Sequence, residues 1–121
     1  MKKILLIPAL AAALAAGPEV EFDKIVHDFG RVTVGDGALS CSFIVTNTGD
    51  SPLLIQSVVS SCGCTDVKWT RTEIAPGGTG TIEATYSNDE GPYPFDKSLT
   101  VYTSAAMKPV VLHLRGIVKK K

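Results

Sequence analysis

The chain has 121 residues, of which 45% are apolar and 20% charged, and its twelve Lys and Arg residues balance twelve Asp and Glu residues. This composition suits one globular domain and excludes a disordered chain. A net charge of zero and an aromatic content of 7% leave no electrostatic footprint for nucleic acid, so we expect no nucleic-acid partner. Because no run of 18 or more apolar residues is present, we also expect no membrane span in the mature form.

The first sixteen residues have the layout of a secretory signal peptide. Lys2 and Lys3 form a positive head, an uncharged stretch rich in Leu and Ala follows, and Ala13-Leu14-Ala15 supplies small residues for cleavage. We therefore predict a signal peptide over residues 1–16 and a mature protein that is periplasmic or secreted. Its removal would leave ten basic residues against twelve acidic ones, a net charge of −2. Such a compartment is oxidising, which bears on the cysteines.

From residue 19 onward the apolar pattern has a period of two, which is typical of half-buried β-strands. Val, Ile and Thr dominate these segments, and clusters of Gly, Pro, Asn and Asp separate them. Seven to eight short strands at this spacing predict an all-β fold, a single immunoglobulin-like antiparallel β-sandwich. The stretch Asp89–Pro92 is interpreted as a solvated hairpin tip. The predicted strands cover residues 20–28, 31–34, 39–46, 53–60, 66–70, 79–86, 97–103 and 110–118.

Several motifs occur in an order that resembles a known family. They are His27-Asp28-Phe29-Gly30, Phe43 to Gly49, Pro52 to Ile55, Ser61-Cys62-Gly63-Cys64-Thr65, Ile74 to Gly80, and Lys97 to Thr103. Together they resemble the DUF1573 family of exported bacterial domains over residues 20–118, with 119–121 left as a basic C-terminal tail. The resemblance implies an immunoglobulin-like fold related to the ASH or Hydin-like domains. It implies no established reaction or ligand.

Cys62 and Cys64, separated by Gly63, are the main candidates for chemistry. Three interpretations stay open. The pair can form a local disulfide, whose small loop contributes of order 1–2 kcal/mol and whose exchange would give a redox role. It can bind Cu(I), or share Zn(II) with an imidazole from His27 or His113. It can also be structural, with small side chains filling a tight corner.

The third cysteine and the two histidines favour structural interpretations. Cys41 alternates in phase with Phe43, so we expect it to face the core as a small hydrophobe. His27 and Asp28 are adjacent on a predicted strand and should point to opposite faces. His113 lies out of phase with its apolar neighbours and should lie on the outer face. None of these positions forms a catalytic arrangement by spacing alone.

No hydrolase, phosphate-loop or zinc-protease motif is present. We therefore predict a non-enzymatic exported domain without a cofactor, a structural or protein-interaction module of the cell envelope whose free edge strand can accept a partner strand. Trp69 and Tyr93 are candidate interaction-surface residues, although packing against the domain is the expected role of Trp69. The alternative is a thiol site at Cys62 and Cys64 that takes copper or zinc or exchanges disulfides with a partner protein.

Overall fold

A computed structural model describes residues 17–105 and 108–120. The predicted all-β fold is confirmed, since these residues form eight strands and no helix, and none of their segments could cross a membrane as an apolar helix. The predicted signal peptide lies outside the described residues. The strands are β1 (Val20–Phe22), β2 (Val26–Thr33), β3 (Leu39–Asn47), β4 (Ile55–Ser60), β5 (Thr65–Trp69), β6 (Thr79–Tyr86), β7 (Pro94–Thr103) and β8 (Val110–Lys119).

The strands form two four-stranded sheets packed face to face. Sheet A has the order β1-β3-β6-β5, and sheet B has the order β2-β8-β7-β4. Inward side chains of both sheets form one apolar core, because alternate residues of each strand point to the same face. The predicted sandwich is therefore confirmed. One pairing departs from the antiparallel expectation, since β2 runs parallel to β8.

The first predicted strand, over residues 20–28, is divided between the two sheets. The Asp23 N–H donates to the Ile44 carbonyl at 3.0 Å, and the Asp23 carboxylate accepts from the Ile44 N–H at 2.8 Å. These bonds end β1 on sheet A, and the chain then joins sheet B as β2. Strands of both sheets have the same period of two, so the period alone does not show that the chain changes sheet here. The separately predicted strand at 31–34 is the end of β2 beyond a bulge.

The predicted hairpin tip at residues 89–92 is wrong. The segment 87–93 links β6 in sheet A to β7 in sheet B, so it crosses from one sheet to the other. Strand β7 begins at Pro94, three residues before the predicted start, and Pro94 pairs with Ile117. Proline is tolerated at the first residue of a strand, where fewer ladder bonds are required of it.

Three connections meet at each end of the sandwich. One end carries the links β3–β4, β5–β6 and β7–β8, and the other carries β2–β3, β4–β5 and β6–β7. At the second end Asn88, with a positive φ of 57°, donates its side-chain amide to the carbonyls of Thr33 and Gly37. This places the links β2–β3 and β6–β7 side by side.

Asn47, the last residue of β3, organises the first end from a fully buried position. Its side-chain nitrogen donates to the carbonyls of Ser51 at 2.8 Å and Ile74 at 2.9 Å, and its side-chain oxygen accepts from the Gly49 N–H at 2.9 Å. A Cβ on Gly49 would lie 2.5 Å from the backbone nitrogen of Glu19, so this position requires glycine. The Asn-Thr-Gly element therefore fixes two loops and the start of β1.

We expect Asn47→Ala to destabilise the domain by about 3 kcal/mol, because it removes three hydrogen bonds of a fully buried amide and leaves one carbonyl and one N–H without partners. Denaturant unfolding followed by Trp69 fluorescence measures the change. Thr48→Ala, at the exposed next residue, is the matched control and should stay within about 0.5 kcal/mol of the wild type. A loss below about 1 kcal/mol for Asn47→Ala would show that water replaces the amide without penalty.

Candidate functional site

The corner between β4 and β5, residues 61–64, crosses from sheet B to sheet A at one end of the sandwich. The Ser61 N–H donates to the Ser98 carbonyl, which extends the β4–β7 pairing, and the Ser87 N–H donates to the Cys64 carbonyl beside the β5–β6 pairing, each at 2.9 Å. A turn bond from the Thr65 N–H to the Cys62 carbonyl closes the corner. The backbone of the corner is thus fixed by both sheets.

Cys62 and Cys64 are joined by a disulfide within this corner. Their Cα atoms are 5.1 Å apart, inside the range that disulfides use, and both residues are half-buried. The Cys64 side chain packs against the apolar core. Gly63 is exposed, has no left-handed φ, and a Cβ there would meet open space. The sequence left three interpretations of this pair open, and the structure agrees with the first, a local disulfide.

Glu90, from the link between β6 and β7, places its carboxylate next to this disulfide. Its Oε2 lies 3.9 Å from the Cys62 Sγ. Its Oε1 accepts a 2.6 Å hydrogen bond from the Tyr86 hydroxyl and pairs with the Lys97 ammonium at 2.9 Å. The two donors therefore hold one carboxylate oxygen and leave the other facing sulfur. We call Cys62, Cys64, Glu90, Tyr86 and Lys97 the corner cluster.

The electrostatics of the corner cluster keep Glu90 ionised. The Tyr86 hydrogen bond and then Lys97 lower the pKa of the Glu90 carboxyl, because both stabilise its charged form. The pKa of Tyr86 is raised, first by burial and then by its hydrogen bond to Glu90, so the hydroxyl keeps its proton and donates it. The cluster thus presents a fixed negative oxygen beside the sulfur atoms.

Sequence reasoning missed Glu90 and Lys97. Lys97 is on β7 in phase with the buried Phe95 and Leu99, and its side chain is 20% exposed. A lysine at an inward position needs a nearby carboxylate, because buried charges are rarely left unpaired. That signal was available in the alternation of β7. Nothing local to Glu90 identified it as the partner.

The two histidines do not join the cysteines. The His113 Nδ1 lies 2.8 Å from the Asp96 carboxylate, and the residue sits on the outer side of β8 between buried leucines, as predicted. His27 packs edge-to-face on Phe29 with ring centroids 4.6 Å apart, and burial lowers its pKa, so it favours the neutral form. In the described part of the chain, the titratable group that approaches both sulfurs is Glu90.

Trp69 and Tyr93 lie at opposite ends of the sandwich and form no common surface. Trp69 ends β5 away from the corner, is half-buried against the core, and has the Arg71 guanidinium 3.8 Å from its ring centre. Tyr93 is 49% exposed in the link that also carries Glu90. Cys41 is half-buried against the core, opposite Ala84 on β6, in the position expected for a small hydrophobe.

A separate concavity of about 530 Å³ lies at the β2 bulge, on sheet B. Asp28 and Arg115 line it with Phe95, and the Arg115 Nε stands 3.6 Å from the Asp28 carboxylate. Neither cysteine of the corner cluster borders it. Arg31 and Asp96 also line it, and the Asp96 carboxylate contacts His113, so three of its four charged side chains already have partners.

The fold and the corner cluster define an immunoglobulin-like sandwich domain with a disulfide at one end. The chain belongs to the family described as protein of unknown function (DUF1573), whose model matches residues 20–118, so the resemblance seen in the sequence is confirmed. No curated protein matches the sequence.

Solved structures of similar fold come from distant proteins. A protein of unknown function from Porphyromonas gingivalis W83 superposes with a TM-score of 0.72 at 22% identity over 91% of this chain, which spans about half (50%) of that one. The ASH / PapD-like domain 7 of human CEP192 gives a TM-score of 0.68 at 10% identity, covering 84% of this chain and 86% of that one. A family 123 glycoside hydrolase from Clostridium perfringens gives 0.67 at 9% identity, with 85% and 27% covered. These likenesses show the fold alone.

Intact mass after alkylation should give one modified thiol in the unfolded, unreduced protein and three after reduction. In the native fold, burial raises the pKa of the Cys41 thiol to about 11, so its thiolate is scarce at neutral pH. We therefore expect native Cys41 alkylation to be slow and to accelerate as pH rises toward that value. Three reactive thiols without reduction would contradict the disulfide, and a rate that is flat above pH 9 would contradict the shift at Cys41.

Proposed function

We propose that this chain is a non-enzymatic, exported protein-interaction module that binds an extended segment of a partner along strand β4. The fold supports this proposal, because sandwiches expose sheet edges that can accept another strand. The predicted leader supports export and a place in the cell envelope. The observation that carries the proposal is the chemistry of the β4 edge.

The β4 edge differs from the other three edges of the two sheets. Strand β1 is three residues long and contains Glu21; β2 is interrupted by a bulge and carries charges; β5 carries Asp66 and Lys68. Short length, bulges and charges are the devices that prevent edge pairing. Strand β4, with the sequence IQSVVS, has a register shift between Ile55 and Ser57, but it pairs without interruption from Ser57 to Ser60 and carries no charge and no proline. From residue 56 to 60 its outer side has no backbone partner among the described residues.

The surface beside this edge is apolar. Val59 is 53% exposed and pairs across the ladder with Thr100, which pairs in turn with Val111, 43% exposed. Tyr102 adds a further exposed ring on β7. A partner strand placed next to β4 would extend this row by one position, since neighbouring strands lie about 4.8 Å apart. The chemistry that fits is an uncharged extended segment with an apolar residue facing Val59.

Site-specific photocrosslinking tests the edge. We expect a photoreactive residue at Gln56, which is exposed on β4, to give a discrete adduct with a partner in the producing cell. The matched position is Glu83, which is exposed on the central strand β6 and should give none. We expect Val59→Lys to lower the adduct yield about tenfold, equivalent to roughly 1.4 kcal/mol, because it places a charge on the edge strand opposite the apolar residue of the partner.

Val111→Lys separates edge pairing from binding to the sheet face. Val111 is on the same outer face as Val59, but it lies on β8, which is separated from β4 by β7. It should leave the Gln56 adduct unchanged. An adduct that is lost equally with both lysine variants would assign binding to the face and contradict the edge. An adduct made of two copies of this chain would show that the β4 edge pairs with a second copy, and it would contradict binding of a different partner protein there. Absence of any adduct at Gln56 would contradict the proposal.

Thiol–disulfide exchange at Cys62 and Cys64 is a second candidate function, favoured by a formed disulfide in a half-buried corner directly after β4. A partner thiolate would attack one sulfur, break the S–S bond and form a mixed disulfide. The partner's second thiolate would then displace the domain. Two electrons would pass to the cysteine pair, and the partner would leave with a disulfide.

Single-cysteine variants test the exchange in a Cys41→Ser background, which removes the unpaired thiol. We expect Cys62→Ser or Cys64→Ser to accumulate a mixed disulfide that reduction releases. The remaining thiolate can attack the disulfide of the oxidised partner, and the second domain thiolate that would complete this reverse exchange is absent. The double variant should accumulate none. If neither single variant traps a dithiol protein in the compartment where the domain resides, the disulfide is structural and the exchange function fails.

A further inference from the structure

We propose that the corner cluster is a redox-gated zinc site, in which the reduced Cys62 and Cys64 thiolates and the Glu90 carboxylate bind one Zn²⁺. The histidine ligands considered from the sequence are not required. This site is independent of partner binding at β4, since it involves none of that strand's residues. It also differs from disulfide exchange, because its functional state is the reduced pair.

The distances in the corner cluster suit a tetrahedral ion. The two sulfurs and a Glu90 oxygen all lie within 4.8 Å of one another, and Glu90 Oε2 is 3.9 Å from Cys62 Sγ. Bond lengths of about 2.3 Å to sulfur and 2.0–2.2 Å to oxygen place tetrahedral ligands about 3.5–3.8 Å apart. Breaking the disulfide allows the sulfurs to separate by rotation of short side chains. The oxygen is already near the required separation.

The surroundings of Glu90 prepare it as a metal ligand. Tyr86 and Lys97 both bind Oε1, and they leave Oε2 directed toward the sulfurs. Metal-binding carboxylates are oriented in this way by outer-shell hydrogen bonds. The formal charges of two thiolates, Glu90 and Lys97 together balance a divalent cation. The reduced cluster therefore carries a formal net negative charge, and binding of a divalent cation neutralises it.

The ligand types favour Zn²⁺ over Cu(I). Zinc accepts thiolate and carboxylate ligands together, whereas Cu(I) is selected by soft sulfur ligands alone. Three protein ligands leave a fourth tetrahedral position for water or for a donor from another molecule. Involvement of Glu90 is therefore the feature that distinguishes a zinc site from a copper site at the same cysteine pair.

Redox gating follows from the bond between the sulfurs. The disulfide withholds both thiolates, so the oxidised domain has one ligand left in the cluster. A thiol or phosphine reductant supplies two electrons, the S–S bond breaks, and each sulfur takes a proton. Zinc binding then displaces those protons, because the ligand is the thiolate.

The site is tested under anaerobic conditions. The mature chain is reduced with a phosphine and titrated with Co²⁺, and Zn²⁺ is then added in competition. We expect one Co²⁺ per chain with thiolate-to-cobalt charge-transfer absorption, displaced by Zn²⁺, and no such absorption in the oxidised protein. Glu90→Gln should weaken zinc binding at least about tenfold, because it removes an anionic ligand and keeps the shape. Asp89→Asn removes the same charge one residue away and should bind like the wild type, as should Cys41→Ser.

X-ray absorption of the zinc-loaded wild type counts ligands without any substitution, and two sulfurs with oxygen neighbours are expected. Zinc binding by Glu90→Gln as tight as by the wild type would overturn the three-ligand site. Tight Cu(I) binding that is insensitive to Glu90, with no zinc binding, would overturn it in favour of a copper site. Absence of thiolate–cobalt absorption in the reduced wild type would overturn it outright. None of these results bears on crosslinking at β4, so the two proposals fail separately.

Discussion

The buried amide of Asn47 is the interaction on which one end of this sandwich depends. An amide is suited to the position because it donates two hydrogen bonds and accepts one. Two of the three are made to backbone groups of the β3–β4 loop and the third to the β5–β6 loop. Its own backbone adds bonds to Gly77 and Gly78, the two residues before β6. Fully satisfied buried polar groups specify one arrangement of the chain around them, since each alternative leaves a group unpaired. Apolar packing alone would hold the two sheets together without fixing which loop lies where.

The opposite end is organised by charge. The chain passes between sheets three times there, at the β2–β3 link, at the Cys62–Cys64 corner and at the link that carries Glu90. Residues 28 positions apart thereby come within contact distance. Lys97 reaches this end from inside the sandwich, and it fixes the Glu90 side chain because an inward ammonium is stable when it is paired. The reactive cluster is therefore a consequence of how the two sheets are joined, and it needs no pocket.

The strands and the core could be predicted from the sequence because alternation of apolar residues reports the inward face directly. The sheet switch at Asp23 could not, since the pattern has the same period in both sheets. The Gly, Asn and Asp residues after β3 predict a turn, but the burial of Asn47 depends on a loop far away in the chain. Cys62 and Cys64 were identified by residue type and spacing. Glu90 was not, because it lies in a link between the two sheets, and the polar composition of that link is equally typical of a solvated hairpin turn.

The corner is held by backbone bonds that do not involve the disulfide. Ser61 is tied to β7, Cys64 to Ser87, and Thr65 to Cys62, so both sheets fix the ends of the loop. A disulfide across so small a loop adds of order 1–2 kcal/mol by restricting the unfolded chain, against a stability of about 5–15 kcal/mol for a typical domain. Reduction therefore changes the chemistry of the two sulfurs while the sandwich around them stays folded. A site whose reactive atoms can be altered at small cost in stability is suited to reversible redox or metal chemistry, whereas a bond that held the sheets together would not be.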